Sequence, residues 1–357
     1  MHAFAVMEDD TVVRQIDVPA QDPEGREVRL RVLHSGVCHT DTHLQQGYYD
    51  LGRRGKLRLT DRGIPYPLVL GHEIVARVEA VGPEVHDVEI GDVRLVYPWI
   101  GCGRCHRCEA GQENYCTSGR SLGVNRHGGY AEVVSVPDEK YLIDIAGLDP
   151  SWAATLACSG LTAFSAANKV LPLPPEAPIA VIGAGGVGLT VVGILAALGH
   201  RNICAVDIDP ANLAIATQTG ARTTLVSDGE NPAADLMSVC GGPVDAVIDV
   251  VNNTQTAAIA FDALAKGGTL VQIGLFGGEM VVPTVLMPLK LLTVQGSYVG
   301  TLDELKQLVQ IAKKDTLPRP PILPGELTLE GVSGALASLA EGGVPGRIVL
   351  SALPGHE

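Results

Sequence analysis

The sequence predicts a two-domain protein of mixed class, in which a β-rich, barrel-like domain is combined with a doubly wound α/β domain. Before about residue 150, short runs alternate apolar and polar residues, and this period of two is typical of half-buried antiparallel strands. Farther along, uninterrupted apolar runs alternate with helical segments, as in a parallel sheet covered on both faces. The 357 residues are enough for a core in each domain.

The composition of the chain argues against some classes of binding partner. The chain is 46% hydrophobic and 18% charged, which is typical of a folded, soluble protein. Its net charge of −14 argues against non-specific nucleic-acid binding. The longest apolar run, 189–198, is about half of the ~20 residues that a membrane span needs, and the first residues lack a basic, apolar leader. We therefore expect a cytoplasmic protein without a nucleic-acid or membrane partner.

The first domain is predicted from its alternating segments. Strands are expected at 28–33, 74–81 and 92–96, and no helix of useful length is expected before about residue 150. The segment 48–66 breaks the pattern, because it carries five basic residues in an otherwise acidic protein. It is either a solvated surface loop or a lid or interface element beside a pocket, since long loops are often functional.

The stretch 36–43 contains a thiol, two imidazoles, a hydroxyl and a carboxylate within eight residues. This mixture indicates a metal site that also moves a proton. An isolated histidine is usually structural, but His72 is followed directly by Glu73 and becomes a candidate second ligand beside Cys38. Cys158 lies in an apolar stretch at the junction of the two domains, where a cleft would open, whereas Cys204 and Cys240 are interpreted as structural.

Four further cysteines are separated by two, two and seven residues; they are Cys102, Cys105, Cys108 and Cys116. This spacing allows one loop to surround a tetrahedral zinc ion with four thiolates. An iron–sulfur cluster is the alternative. Zinc is favoured because the fourth cysteine follows seven intervening residues and no Cys-Pro is present. A closed set of four ligands leaves no position for a substrate, so the predicted role is structural.

The second domain opens with a dinucleotide fingerprint. An apolar strand at 179–182 leads into a Gly-x-Gly-x-x-Gly loop and a helix at 187–198, and a second strand at 202–206 ends at Asp207. In this context the glycines allow close approach of a pyrophosphate, and Asp207 is expected to accept from ribose hydroxyls and favour NAD over NADP. The alternative role for Asp207 is to cap the next helix. The expected loop contacts are Gly183, Gly185, Gly186, Val187 and Gly188.

The alternation continues to the end of this domain. Helices are predicted at 210–219, 233–239 and 254–265, and strands at 223–226, 244–250, 269–273 and 292–296. Ligands bind at the carboxyl ends of such strands, which places Ile273 and Val299 near the coenzyme. An amphipathic helix at 302–314, a proline-rich turn at 318–324 and a strand at 346–350 follow, and the last suggests a return to the first domain.

These motifs together resemble the zinc-dependent medium-chain alcohol dehydrogenases. The resemblance rests on 36–41, 71–73, 102–116, 158–163, 183–188 and 296–300, which follow the family's order over nearly the whole chain. It implies a GroES-like catalytic domain of residues 1–157 and 300–357, with a structural-zinc lobe at about 99–117. It also implies a Rossmann coenzyme domain of residues 158–299, two zinc ions per chain, and a homodimer or homotetramer.

The resemblance also implies roles for individual residues. Cys38, His72 and Cys158 resemble the catalytic zinc ligands, Glu73 resembles the carboxylate near the metal, and Asp41 resembles the partner of a ligand histidine. Thr40 and His43 match the proton relay. The remaining matches concern the coenzyme, with His39 and Arg347 as pyrophosphate contacts and Thr162 beside the nicotinamide. The sequence departs from the family in the 34-residue spacing between Cys38 and His72. The basic stretch at 50–63 accounts for this length and leaves the substrate range open.

The expected activity is reversible hydride transfer between a primary or secondary alcohol and NAD. A polyol or sugar-alcohol dehydrogenase is one alternative, although Cys158 supplies a third ligand that Glu73 would otherwise provide. A zinc-free quinone or enoyl reductase is disfavoured by Cys38 and His72. A zinc- and NAD-binding sensor without turnover is disfavoured by Thr40 and His43, because a sensor does not need to export a proton.

Overall fold

A computed structural model describes residues 1–8, 11–19 and 21–353. The strands are β1 (His2–Val6), β2 (Val13–Asp17), β3 (Val28–Val37), β4 (Tyr48–Asp50), β5 (Lys56–Arg58), β6 (Leu68–Val69), β7 (Glu73–Val81), β8 (Val93–Val96), β9 (Val133–Val136), β10 (Leu142–Asp144), β11 (Ile179–Ile182), β12 (Ile203–Asp207), β13 (Thr223–Val226), β14 (Val244–Asp249), β15 (Leu264–Gln272), β16 (Thr293–Gly296), β17 (Ile322–Glu326) and β18 (Arg347–Ser351). The α-helices are α1 (His39–Gln46), α2 (His106–Glu109), α3 (Pro150–Thr155), α4 (Leu161–Val170), α5 (Gly186–Ala197), α6 (Pro210–Thr219), α7 (Pro232–Cys240), α8 (Thr254–Ala263), α9 (Leu286–Lys290), α10 (Leu302–Ala312) and α11 (Leu329–Glu341).

The first sheet confirms the period-two interpretation. Its strand order is β10-β8-β7-β3-β18-β17, with β9 also paired to β3. Strands β3 and β7 are antiparallel, and Gly36 lies opposite Glu73. Strand β18 is antiparallel to β3, with Ile348 opposite Val37. The end of the chain therefore returns to this sheet, as the sequence predicts.

The expectation of no useful helix before residue 150 is wrong for α1. This helix has only eight residues, and most of them are polar. Its ends are nevertheless well satisfied: the Asp41 carboxylate accepts from the Cys38 N–H at 3.0 Å, and Gly47 ends the helix at φ 77°. Side-chain capping and a left-handed glycine stabilise short helices that periodicity does not reveal.

The second sheet is parallel throughout, in the order β13-β12-β11-β14-β15-β16. The predicted doubly wound architecture is therefore confirmed. Some details differ: β15 begins five residues earlier than predicted, at Leu264, and helices α4 and α9 were not expected. The carboxyl ends of β11, β14, β15 and β16 meet at one edge of the sheet, where Gly183, Val250, Ile273 and Ser297 follow them.

The predicted turn at 318–324 is wrong in its second half. Strand β17 begins at Ile322 and pairs in parallel with β18. It contains Pro324, and it lies at the end of the strand order, where a proline removes no required ladder bond. Helix α11 follows it and was not expected. Within the described part of the chain, the helices are all too short or too polar to cross a membrane.

Candidate active site

Three buried side chains from distant parts of the sequence converge between the two sheets. Cys38 precedes α1, His72 precedes β7, and Cys158 lies in the π-helical turn Leu156–Gly160. The sulfur atoms of Cys38 and Cys158 are 3.9 Å apart. One ligand atom from each of the three residues lies within 4.8 Å of the others. The structure therefore brings together the three residues predicted as a ligand set.

The geometry of this cluster fits a zinc ion. Tetrahedral ligands at about 2.3 Å from zinc lie roughly 3.8 Å from one another, close to the 3.9 Å between the two sulfur atoms. Neither ring nitrogen of the buried His72 forms a hydrogen bond among the described residues. The Nδ1 atom of His72 lies 3.2 Å from Asp41 Oδ1 and faces that carboxylate, so Nε2 is the nitrogen left for a metal. Two thiolates and one imidazole leave a fourth position open.

Asp41 positions these residues through hydrogen bonds to the backbone and side chains around them. Its buried carboxylate accepts hydrogen bonds from the Cys38 N–H at 3.0 Å, the Gly71 N–H at 3.1 Å and the Tyr130 hydroxyl at 3.0 Å. Burial lowers the pKa of His72, but the charge of Asp41 and the Cys38 thiolate together raise it by more. The pKa of His72 therefore lies well above its ordinary value. The hydrogen bond from the Cys158 thiol, followed by the His72 contact, lowers the pKa of Cys38.

Glu73 and Arg347 form a buried ion pair beside the cluster. The Glu73 carboxylate accepts from Arg347 Nη2 at 2.6 Å and from the Ser159 N–H at 2.9 Å. The aliphatic stem of Arg347 lies against Gly186, where a Cβ atom would come within 2.5 Å of Arg347 Cδ. Arg347 therefore extends from the neighbourhood of the three proposed ligand residues to the glycine loop. Its contact with a pyrophosphate, and the approach of Glu73 to a metal, stay predictions.

A cavity of about 100 Å³ adjoins the cluster and is lined from both domains. Most of the residues predicted for catalysis and for the nicotinamide end of the coenzyme line this cavity. They are Cys38, His39, Thr40, His43, Cys158, Thr162, Val187, Ile273 and Val299. Burial lowers the pKa of both His39 and His43. The lowered pKa favours the neutral form of both imidazoles at pH 7, and in this form His43 can accept a proton.

Four aromatic residues lie around this cavity, namely Tyr49, Trp99, Phe276 and Tyr298. The Phe276 ring lies 5.3 Å from the His39 ring and 6.2 Å from the His43 ring, and Tyr49 lies 5.4 Å from His43. Tyr298 lines the cavity, while Trp99 is buried behind it. The available signal for Phe276 was its place just after the predicted strand end at Ile273.

The glycine loop leaves room for a pyrophosphate. Gly183 has φ +93°, and a Cβ atom on Gly188 would lie 1.7 Å from the Gly183 carbonyl oxygen. A Cβ atom on Gly185 would face open space at the start of α5. Short-range contacts therefore require Gly183 and Gly188, while Gly185 leaves an open cradle at a helix N-terminus.

Asp207 supports the same loop. Its carboxylate accepts from the Ala184 N–H at 2.6 Å and from the Asp209 N–H at 2.9 Å. The alternative role of Asp207 as a helix cap is wrong, because Asp209 caps α6 by accepting from the Ala211 N–H. Asp207 lies at the end of β12, where an acid that binds ribose hydroxyls is expected.

The four-cysteine loop forms a second candidate metal site. The Cys105 sulfur lies 3.5 Å from that of Cys108 and 3.9 Å from that of Cys116, and the Cys102 and Cys108 sulfurs are 3.9 Å apart. These distances also match the edges of a tetrahedral zinc–thiolate site, roughly 3.8 Å long. The buried Glu113 supports the loop by accepting from the Gly101 N–H at 2.8 Å.

The basic segment at 48–66 reaches the coenzyme domain. Strands β4 and β5 form a hairpin, and Arg53 between them forms an ion pair with Glu279. The Gly278 N–H donates to the Asp50 carbonyl oxygen at 3.2 Å. The segment therefore spans the cleft, and the interpretation as a lid or interface element is favoured over a solvated loop.

Comparison with known proteins agrees with this geometry. Residues 24–146 match the alcohol dehydrogenase GroES-like domain, and residues 186–314 match the zinc-binding dehydrogenase domain. The chain is 35% identical over 353 residues to an NAD-dependent alcohol dehydrogenase of Sulfurisphaera tokodaii, covering 98% of this chain and 99% of that protein. The chain belongs to the zinc-dependent medium-chain alcohol dehydrogenase family.

Two further alcohol dehydrogenases support this placement. The NAD-dependent alcohol dehydrogenase of Saccharolobus solfataricus is 36% identical over 341 residues, or 95% of each chain. The crystal structure of the alcohol dehydrogenase from Aeropyrum pernix has a TM-score of 0.89 at 29% identity, covering 98% of this chain and 100% of that one. The predicted GroES-like and Rossmann fold of the alcohol dehydrogenase family is confirmed.

Proposed function

We propose that this protein catalyses reversible hydride transfer between a primary or secondary alcohol and NAD, which yields an aldehyde or a ketone. The observation that carries the proposal is one cavity in which the Cys38, His72 and Cys158 cluster meets residues that follow the coenzyme-domain strands. A metal, a proton acceptor and a nicotinamide would therefore lie around the same substrate atom. Because Cys158 completes the ligand set, the polyol dehydrogenase alternative is less well supported.

Each residue has a physical task in this reaction. Bound zinc and NAD supply a Lewis acid at the substrate oxygen and a hydride acceptor. Asp41 orients His72, and the buried surroundings of Cys38 and Cys158 exclude water. Thr40 receives the proton of the substrate hydroxyl and passes it to His43, whose neutral imidazole accepts it near the surface. His43 is the exit point because its side chain is partly exposed.

The coenzyme assignment follows from the glycine loop and Asp207. The open space at Gly185 and the N-terminus of α5 suit a pyrophosphate. The Asp207 carboxylate would accept from ribose hydroxyls and would repel a 2′-phosphate. Arg347 would supply a positive group and His39 an N–H donor for the pyrophosphate, and Thr162 would lie beside the nicotinamide. We infer NAD as the preferred coenzyme on these grounds.

The number of metal ions and the assembly are further parts of the proposal. The two ligand clusters support two zinc ions per chain, one catalytic and one structural. Strand β16 lies at the edge of its sheet. The exposed Val281, Val285, Leu289 and Leu291 lie just before it, and together they support a homodimer or a dimer of dimers. None of the eight cysteines, all within the described residues, forms a disulfide, and six of them lie in the two proposed zinc sites, which supports a reducing, cytoplasmic location.

An alcohol panel tests the proposed activity. The zinc-loaded protein is mixed with NAD and a series of primary and secondary alcohols, and NADH is followed by its absorbance. We expect NADH with several alcohols, a weaker response with NADP, and none with Cys38→Ser. Binding of zinc and NADH without turnover of any alcohol would overturn the enzyme assignment and favour a sensor.

A further inference from the structure

A second cavity of about 380 Å³ lies beside the catalytic cavity. Gly274 and Leu275 line both cavities, so the two spaces lie on either side of, or against, the same short segment after β15. One wall of the second cavity is the basic segment, with Tyr49, Leu57 and Arg62. The proposed function assigns no role to this space.

Arg62 is the single cation among the described residues that line this cavity. Two carboxylates also line it: Glu279 pairs with Arg53, whereas Asp50 accepts from the Gly52 N–H at 2.8 Å and has no cationic partner among the described residues. The exposed guanidinium of Arg62 forms no ion pair or hydrogen bond within the described part of the chain. The cavity thus presents one positive group that has no protein partner.

The polar amides in the same wall are also occupied. The Asn252 side chain donates to the Gly274 carbonyl oxygen at 2.9 Å and accepts from Gln272 Nε2 at 2.8 Å. Asn253 caps helix α8 by accepting from the Thr256 N–H at 2.8 Å. Arg62 is therefore the cavity's main group available to a ligand.

The charge of Arg62 reaches the catalytic cavity. Desolvation raises the pKa of Tyr49 and of Tyr298, and the Arg62 guanidinium opposes this rise in both. Tyr298 lines the catalytic cavity, and the Tyr49 ring lies 5.4 Å from that of His43. Because Arg62 and Tyr49 line the same cavity and the Tyr49 ring lies close to His43, an anion held by Arg62 would lie beside the catalytic cavity.

The position of Arg62 argues against the adenosine end of the coenzyme as its partner. Coenzyme-domain residues of this cavity follow β14 and β15, whereas Asp207 ends β12, and β11 separates β12 from β14. A single guanidinium in a cavity that is also lined by two carboxylates matches a monoanion better than a doubly charged phosphate. A planar carboxylate also suits the paired N–H groups of arginine.

We propose that Arg62 binds a carboxylate at the distal end of the substrate, so that the enzyme prefers alcohols and aldehydes bearing a carboxylate. This inference rests on the proposed dehydrogenase function, and it names the substrate class of that site. Arg62 is then a specificity-determining residue that acts on substrate binding, since it lies outside the catalytic cavity's lining.

The test compares matched substrates in three proteins. ω-Hydroxybutanoate, ω-hydroxyhexanoate and ω-hydroxyoctanoate are paired with butanol, hexanol and octanol. The kcat/KM ratio within each pair is measured at low salt for the wild type, Arg62→Gln and Arg54→Gln. Arg54 is the matched control, because it is an exposed cation of the same segment that lines neither cavity.

We expect the wild type to favour a hydroxy acid of one chain length over its matched alcohol. Arg62→Gln should lower that ratio about fivefold, the scale of an exposed ion pair, through KM and with the neutral alcohols unchanged. Arg54→Gln should leave the ratio as it is. In a second measurement, hexanoate should inhibit hexanol oxidation competitively, and less strongly in Arg62→Gln.

The outcomes separate the two levels of the proposal. Turnover of neutral alcohols with the same ratio in all three proteins, or an equal loss in both variants, would overturn the role of Arg62 and leave the dehydrogenase function intact. Absence of NADH formation with every substrate would overturn both.

Discussion

His72 Nδ1 lies 3.2 Å from Asp41 Oδ1, and neither side chain is exposed to solvent. The other oxygen of the same carboxylate accepts from the Cys38 N–H and from the Tyr130 hydroxyl. One buried carboxylate thus fixes both the ring of one proposed ligand and the backbone of another. Asp41 therefore determines the shape of the ligand set without being a ligand.

Replacing Asp41 by asparagine should weaken zinc binding and activity by about 10- to 100-fold, the usual effect of losing such a partner. The amide keeps the size of the side chain but removes the charge that orients His72. Zinc affinity is measured by competition with a coloured chelator. Tyr130→Phe removes a single donor to Asp41 and should cost less. Unchanged zinc affinity in Asp41→Asn would contradict this role.

His43→Gln should lower kcat at neutral pH by about 100-fold, the lower end of the range for general acid–base catalysis. Thr40 would then have no base to which it could pass a proton. Because burial lowers the pKa of His43, the wild type should lose activity only below pH ~6.5, and this acid limb should be absent in His43→Gln.

Tyr49→Phe is the matched control for the proton relay, because it keeps the ring that lies 5.4 Å from His43. It should retain most of the activity. Small buffer bases such as imidazole should partly restore His43→Gln, since they can accept the proton at the cavity mouth. If His43→Gln keeps the wild-type rate and pH profile, the proton leaves by another route.

The parts of the site that could be predicted from sequence are those that short motifs define. The glycine loop and the four-cysteine loop are each formed by one continuous segment of the chain, so residue type and spacing alone reveal their chemistry. The parts that were missed depend on contacts across the cleft. Phe276 reaches His39 and His43 from a segment more than two hundred residues away, and no local pattern encodes that contact.

Helix α1 shows a different limit of sequence analysis. Two of its polar residues, Asp41 and Thr42, are buried, and Asp41 accepts from the backbone N–H groups of Cys38 and Gly71. A hydrophobic pattern cannot reveal an element that is held in place by a buried carboxylate. Family motifs identified the residues of this stretch, and the structure supplied their shared helix.

The two ligand clusters predict distinct effects of their cysteines. Cys38→Ser should remove about one of two zinc ions per chain and abolish turnover while it preserves the fold. Cys105→Ser should remove the other ion and unfold the loop, because structural zinc contributes folding free energy directly. Zinc content by atomic emission and circular dichroism distinguish these results. If Cys105→Ser retains the fold but loses turnover, the assignment is reversed: the four-cysteine site is then the catalytic one and the Cys38 site the structural one.

Arg347→Met should destabilise the protein by about 3–5 kcal/mol, as expected when a buried ion pair loses one partner. Glu73 is fully buried, and in this variant the Ser159 N–H would be its remaining donor. The free energy of unfolding in urea measures the effect. The double variant Glu73→Gln/Arg347→Met should recover much of the loss, because no buried charge remains unpaired. A single variant as stable as the wild type would contradict this account.

The ion pair between Arg53 and Glu279 should affect coenzyme release more than stability. Arg53 is 78% exposed and Glu279 29% exposed, and such pairs contribute at most about 1 kcal/mol. The pair nevertheless joins the basic segment to the loop after β15, which carries Phe276 over His39. Arg53→Ala should therefore speed NADH dissociation by at most about fivefold, measured by stopped-flow displacement.

A double-mutant cycle separates the ion pair from a general charge effect. Arg53→Ala, Glu279→Ala and the double variant should give the same release rate, because either change removes the whole contact. Arg54→Ala alters the same net charge without breaking the pair and should release NADH as the wild type does. Since the Asp50 and Gly278 backbones remain hydrogen-bonded at 3.2 Å, the segment should stay in place in all variants. Additive effects of the two single changes would show that Arg53 and Glu279 act independently on the cleft.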